Sequence, residues 1–282
     1  MSSKAAPRSA PAGQGSPLHF LHALLWAFGG ALLFALPTLM TMEMWALATQ
    51  ITDLRFALFI AGIAAMLIGM SHYAGFEETS DFGSDIADGF IAFLVGAITA
   101  AVVLLVFGVV SDPTVDELIG AIGLLALPCG IGAALARHLL GHNGGDRETR
   151  RQRNARYPGQ LFLMSVGAFF LSFSVAPTEE MMLIAYKMSA WHTLGLIVLS
   201  LALMHAFVGA HVYEEREEHG ATWLAVFARF TVTGYALALA ISAYMLWTFG
   251  RLDGLGLEQI AKVVVVLGLP AAIGAAASRL IL

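Results

Sequence analysis

Apolar residues run almost without interruption through 18–49, 56–74, 89–110, 118–140, 160–188, 193–213, 223–249 and 258–281, and polar residues gather in the gaps. Each run reaches the roughly 17–25 residues that a helix needs to cross a bilayer. None shows the short, strictly alternating segments of a membrane barrel. The pattern predicts an all-α polytopic membrane bundle of about eight transmembrane helices.

The first run of each half of the chain is too long for one straight span. Residues 18–49 would extend about 48 Å at 1.5 Å per residue, against a hydrocarbon core of roughly 30 Å. Pro37-Thr38 and Pro177-Thr178 sit inside these runs. Proline removes a backbone donor and disrupts the preceding turn, so a break is expected near Leu36 and near Ala176, followed in each case by a second, shorter helix. Pro128 and Pro270 interrupt the last run of each half in the same way.

The two halves repeat. Pro37-Thr38 matches Pro177-Thr178 at an offset of 140, and His72 matches His211 at 139. Leu127-Pro-Cys-Gly-Ile-Gly-Ala-Ala-Leu-Ala-Arg137 matches Leu269-Pro-Ala-Ala-Ile-Gly-Ala-Ala-Ala-Ser-Arg279 at 142. An even number of helices in each half makes both enter the membrane in the same sense, so the expected arrangement is two parallel four-helix repeats. The organisation read from this is a disordered cytoplasmic tail over 1–17, a first repeat over 18–140, a basic cytoplasmic linker over 141–159 and a second repeat over 160–282.

Composition fixes the solvent and charge the orientation. Hydrophobic residues make up 58% of the chain and charged ones 12%, about half the charged share of a soluble domain. Lys4, Arg8, Arg137, Arg147, Arg150, Arg151, Arg153, Arg156, Arg216, Arg229 and Arg279 fall on one side of the predicted topology; Arg55, Lys187, Arg251 and Lys262 fall on the other. Cytoplasmic loops carry the excess of Lys and Arg, which places both termini in the cytoplasm. The basic linker reads as a topology determinant touching anionic lipid headgroups, not as a nucleic-acid surface. The single cysteine, Cys129, excludes an intrachain disulfide and reads as a small buried residue beside Pro128.

The candidate chemistry is carboxylate and imidazole. Glu179 and Glu180 follow the second Pro-Thr break, in the first turn of a short helix, where the positive end of the macrodipole favours negative charge. Glu43 falls on nearly the same face after the first break. With the hydroxyls of Thr38, Thr41 and Thr178 these carboxylates form an oxygen-rich set suited to a hard cation or protons. A plain capping role is the competing reading. On the cytoplasmic side, His72 precedes Glu77 and Glu78, and His211 precedes Glu214 and Glu215. This is a candidate gate, with the histidines titrating near neutral pH, or a face for a divalent cation; solvated hairpin ends are the simpler account. His205 reads as a satisfied interhelical histidine or a member of a proton path. No His-Glu-x-x-His, Gly-x-Ser-x-Gly, phosphate-binding loop or Glu-x-x-His pair is present, so no enzyme is expected and no cofactor beyond that optional divalent cation.

The Ala-Pro-Thr-Glu-Glu segment, the broken helix before it, the basic mid-chain linker and the eight-run layout resemble an uncharacterised family of bacterial integral membrane proteins of unknown function. That resemblance implies a multi-pass protein of the bacterial inner (plasma) membrane. The sequence reads as an ion channel or transporter for a cation or protons, with membrane lipid and an inorganic ion as partners and a homo-oligomer as the assembly. The alternative is a non-transporting sensor or scaffold whose acidic cytoplasmic hairpins bind a partner or a divalent ion.

Overall fold

The computed structural model describes residues 17–74, 82–108, 114–140, 157–219, 224 and 227–281. All regular structure among them is helical: α1 Pro17–Leu39, α2 Met42–Ala48, α3 Asp53–Ala74, α4 Phe82–Phe107, α5 Val115–Leu140, α6 Tyr157–Val175, α7 Glu179–Lys187, α8 Ala190–His219, α9 Thr233–Thr248 and α10 Leu257–Ile281, with a π-helical lead-in to α9 at Phe227–Val232. Among the described residues seven helices are long and apolar enough to cross a membrane, and the bent pair α1–α2 makes an eighth if counted as one span. Of the expected tail over 1–17 and linker over 141–159, residues 1–16 and 141–156 lie outside the described residues; Pro17 opens α1, and the last three linker positions, from Tyr157, are already the first turn of α6.

One of the expected proline breaks moves, and one falls where it is expected. Helix α1 runs through Pro37, which is exposed, and ends at Leu39; the chain then turns by 89° into α2. Met40 and Thr41, not Pro37, form the corner. In the second half the break falls at Ala176–Thr178, with Pro177 buried in it. Pro37-Thr38 and Pro177-Thr178 therefore occupy different structural positions. Pro128 and Pro270 do not break anything: α5 and α10 continue through them. Packed neighbouring helices and local adjustment make proline tolerable inside a membrane helix.

Lipid tails are as apolar as leucine, so helices associate in a bilayer by close packing more than by burial. Glycine supplies the approach. A Cβ at Gly132 of α5 would overlap the Gly30 carbonyl of α1, and one at Gly274 of α10 would overlap the Gly167 carbonyl of α6. Gly96 of α4 meets Gly130 and Ala126 of α5 at similarly short range. The same pairings recur in each half: the first helix packs on the last, the short helix on the last, and the third long helix on the last.

An aromatic joint fastens one half to the other. The ring of Phe59 on α3 stacks on Phe173 at 5.7 Å and Phe169 at 6.3 Å, both from α6, and meets Phe249 at 6.1 Å. Phe34 of α1 meets Phe170 of α6 edge-on at 5.7 Å. Higher on α3, Gly69 leaves the room that the Phe162 ring fills. The hydroxyl of Tyr244 on α9 donates to the Leu58 carbonyl at 3.3 Å.

The glycine contacts generate a stability prediction. Gly167→Val and Gly132→Val each force two helix backbones apart and should lower stability by roughly 1–3 kcal/mol, the usual cost of overpacking. Gly29→Ala, where an added Cβ meets nothing within 4 Å, should leave it unchanged or slightly raised, because alanine is the better helix former. Thermal unfolding of the purified variants in detergent measures both; equal midpoints for all three would contradict the packing assignment.

Candidate functional site

Both short helices start in the same way. Thr41 and Thr178 are the residues before α2 and α7, each in extended conformation, and neither side chain caps its helix. Their hydroxyls turn back instead: Thr41 Oγ1 donates to the Thr38 carbonyl at 2.9 Å and Thr178 Oγ1 to the Val175 carbonyl at 2.9 Å. Thr38, buried, donates to the Ala35 carbonyl at 2.8 Å. The Thr38 and Val175 carbonyls also accept the backbone N–H of Thr41 and Thr178, at 3.4 and 3.0 Å, so each hydroxyl adds a second bond at its break. All three hydroxyls thus spend their proton on a local backbone carbonyl.

The carboxylates fall into register. Glu43 is the second residue of α2 and Glu180 the second of α7; Met44 and Met181, and then Ala48 and Ala185, follow on the buried side of each helix. Upstream, Ala27, Ala31, Ala35 and Leu39 line the buried stripe of α1, and Met164, Ala168, Ser172 and Ala176 that of α6. Each pair is 137 positions apart. The counterpart of Glu43 is thus Glu180, and Glu179 is an extra carboxylate where α2 has Met42. Glu43 is half-buried, and Glu179 and Glu180 are exposed. Among the described residues no three His, Cys, Asp or Glu side chains stand close enough to share a metal ion, so Glu43, Glu179 and Glu180 are not gathered into one metal-binding cluster.

Two arginines hold this end together, and the carboxylate-centred reading of the sequence gave neither a role. Helix α9 ends in a Schellman cap: Gly250 takes φ +69°, its N–H donates to the Trp247 carbonyl at 3.1 Å, and the Arg251 N–H donates to the Leu246 carbonyl at 2.8 Å. The cap aims the Arg251 side chain at the second break, where Nη2 donates to the carbonyl of Pro177. The Nε of Arg251 is buried without a hydrogen bond. Two residues on, Asp253 forms a two-pronged ion pair with Arg55 of α3, both N···O distances 2.8 Å. Arg55 also lies over the Trp247 ring, 5.2 Å from its centre. The readable signal was Thr-Phe-Gly-Arg251, a helix-stop sequence with glycine at the position that favours positive φ. At the first break the Trp45 Nε1 donates to the Leu39 carbonyl at 3.0 Å and plays the part that Arg251 plays at the second.

At the opposite end of the bundle, His72 Nδ1 lies 2.8 Å from a carboxylate oxygen of Asp85, the latter largely buried. This pair couples α3 to α4. Glu77 and Glu78 lie outside the described residues; His211, Glu214 and Glu215 fall on the helical backbone of α8, and their side chains lie outside them. His205 is the interhelical histidine: its Nδ1 stands 3.0 Å from the hydroxyl of buried Thr231 in the π-helical segment, and its ring packs edge-on against Phe227 at 5.2 Å. Cys129 is fully buried beside Pro128.

Residues 23–282 match the model of the family described as integral membrane protein (DUF2391). Nothing among curated proteins or solved structures matches the chain.

The ion pair at the loop predicts a pH dependence. Hydrogen bonding from Arg55, reinforced by its charge, holds the Asp253 carboxyl below its usual value. A carboxylate with a lowered folded-state value contributes stability above its unfolded value, near pH 4, and loses it as pH falls through the lower folded one. Asp253→Asn should therefore lower the unfolding midpoint at pH 7, modestly because the pair is exposed, and the gap to wild type should close as pH approaches 3. A gap that stays constant from pH 7 to 3 would assign the loss to something other than this charge.

Proposed function

The chain belongs to this DUF2391 family of integral membrane proteins, and from that premise we propose that it is a duplicated transporter or channel that moves a cation or protons past the carboxylates at its two helix breaks. Two parallel four-helix units, 18–140 and 160–282, make up the protein. Both termini face the cytoplasm, and the membrane is the bacterial inner membrane. No chemistry on a substrate is involved.

One observation carries this reading: Glu43 and Glu180 are matched residues at the second position of matched short helices. An ionisable residue flanked by apolar spans is by default a pathway candidate, and broken helices mark binding sites in many transporters. The local bonds of Thr38, Thr41 and Thr178 add to the support in a different way from the one expected. Each hydroxyl donates to a backbone carbonyl and not to a glutamate, which leaves the carboxylates able to replace part of an ion's hydration shell. Further support for duplication comes from the ends of α4 and α9. Phe107-Gly108 and Phe249-Gly250 stop the two helices with positive φ, at +61° and +69°, and stand 142 positions apart, as do Pro128 and Pro270.

The test is cation and proton flux in proteoliposomes with Glu43, Glu179 and Glu180 each changed to Gln. Glu180→Gln and Glu43→Gln should both change flux or selectivity in the same direction, the Glu43 effect being the weaker because its half carries one carboxylate where the other carries two. Glutamine stays polar and can still be solvated at a helix start, so a capping role predicts no change. Wild-type flux and selectivity in all three folded variants would remove the carboxylate path and favour the non-transporting sensor or scaffold.

A further inference from the structure

We infer that protons drawn to the breaks cross through the interior of the second half, by way of the Tyr235 and Thr231 hydroxyls, to His205. The inference rests on the transport reading above and narrows its substrate to the proton.

Matched positions in the two halves differ in chemistry. A Cβ added at Gly89 of α4 would lie 2.8 Å from Ile68 Cγ1 of α3, so these two residues touch. Their counterparts, 142 and 137 positions on, are Thr231 and His205, which also meet, hydroxyl to Nδ1 at 3.0 Å. One contact thus joins corresponding helices in both halves, apolar in the first and able to pass a proton in the second. The exchange recurs deeper in the bundle. Ile63, Phe93 and Ala35 of the first half correspond to Ser200, Tyr235 and Ser172 of the second. Thr231 also lies in the π-helical segment, whereas Gly89 sits in ordinary α-helix; π-helical turns are frequent at functional sites.

Buried polar groups are almost always hydrogen-bonded, to protein or to internal water. Ser172, 0% exposed, and Tyr235, 6% exposed, make no such bond to protein through their hydroxyls. Tyr235 faces the Ser200 hydroxyl without a hydrogen bond of ordinary length. Of six buried side-chain atoms in this condition among the described residues, five belong to the second half and only Ser71 to the first. They follow one another from the break inward. Arg251 stands at the Pro177 carbonyl, Ser172 is one turn before Ala176, and Tyr235 is one turn from Thr231 and its partner His205. His205 ends the series in the last turn of the apolar stretch of α8, Ala190–Phe207, at the end of the bundle opposite the break.

This order suits a proton. A hydroxyl or water oxygen accepts one proton and releases another, and imidazole does the same between its two ring nitrogens. After each passage every group holds as many protons as before, with its O–H or N–H turned round. A metal cation would instead need several oxygens around one point, and these groups are strung along the helices.

Proteoliposomes with an internal pH dye, driven by a potassium–valinomycin potential, test the relay, with sodium uptake measured in parallel. Tyr235→Phe, and His205→Ile combined with Thr231→Gly, install residues that the first half already packs at these positions. Each should lower proton flux by about a hundredfold, the low end of what one positioned proton-transfer group contributes. His205→Ala should lose it equally and regain it when imidazole is added, which a histidine needed only for packing would not show. Wild-type proton flux in the first two variants, sodium flux without proton flux in the native protein, or no recovery with imidazole in folded His205→Ala overturns the relay; flux that remains in these cases leaves the carboxylate reading standing. Loss in the relay variants with wild-type flux in Glu43→Gln and Glu180→Gln refutes the carboxylate reading alone. A native protein that moves neither ion refutes both.

Discussion

Hydrocarbon offers no hydrogen bonds, and everything at the breaks follows from that. A helix interrupted inside a membrane exposes carbonyls that water cannot reach, each costing several kcal/mol if left alone. Here several carbonyls at the breaks are bonded from within the chain. Thr38, Thr41 and Thr178 reach back three residues to the turn before them, Trp45 closes Leu39 and Arg251 closes Pro177. The breaks persist because they are satisfied, and the carboxylates that follow them belong to helices already fixed in place.

The same solvent decides how the bundle packs. Burial drives little association between helices in lipid, so contact area must come from backbones that touch. Gly30 against Gly132 and Gly167 against Gly274 bring first and last helix together in each half. The joint between halves works differently, through the stacked rings of Phe59, Phe169 and Phe173. Offset aromatic pairs add to simple area contact. The Arg55–Asp253 pair lies close by: Arg55 is one helical turn before Phe59, and Asp253 follows Phe249 in the loop. Polar and aromatic fastenings thus meet on the first two turns of α3.

How much of this could be read in advance depends on the scale of the signal. The helical class, the membrane setting and the short helix after each long first run follow from run length, which is a strong signal. The corner of the first half lies beyond the expected one because proline is not the breaker there; Pro37 sits in the last turn of α1, where two further residues stay helical before the chain turns. Pro128 and Pro270 misled for a related reason, since the packing of α5 and α10 outweighs the loss of one donor. At the site, the three glutamates were legible as charges in apolar surroundings. Their pairing was not, because the repeated Pro-Thr words suggested an offset of 140 where the buried stripes align at 137. Arg251 carried its information in Phe-Gly-Arg, a stop signal whose spatial target, Pro177, lies 74 residues away. No local pattern encodes that.

The differences between the halves form a pattern of their own. The second break has one carboxylate more than the first, Glu179 in place of Met42, and it also has an arginine at its carbonyl where the first has the neutral indole of Trp45. Charge near low dielectric is tolerated when opposite charge is near. Arg251 reaches the residue two before Glu179, so the added negative charge and the added positive charge arrive at one corner. The two breaks thus differ in a pair of residues: the second carries Glu179 and takes Arg251 at its carbonyl from the cap of α9, while the first, closed by the uncharged indole of Trp45, carries a single carboxylate.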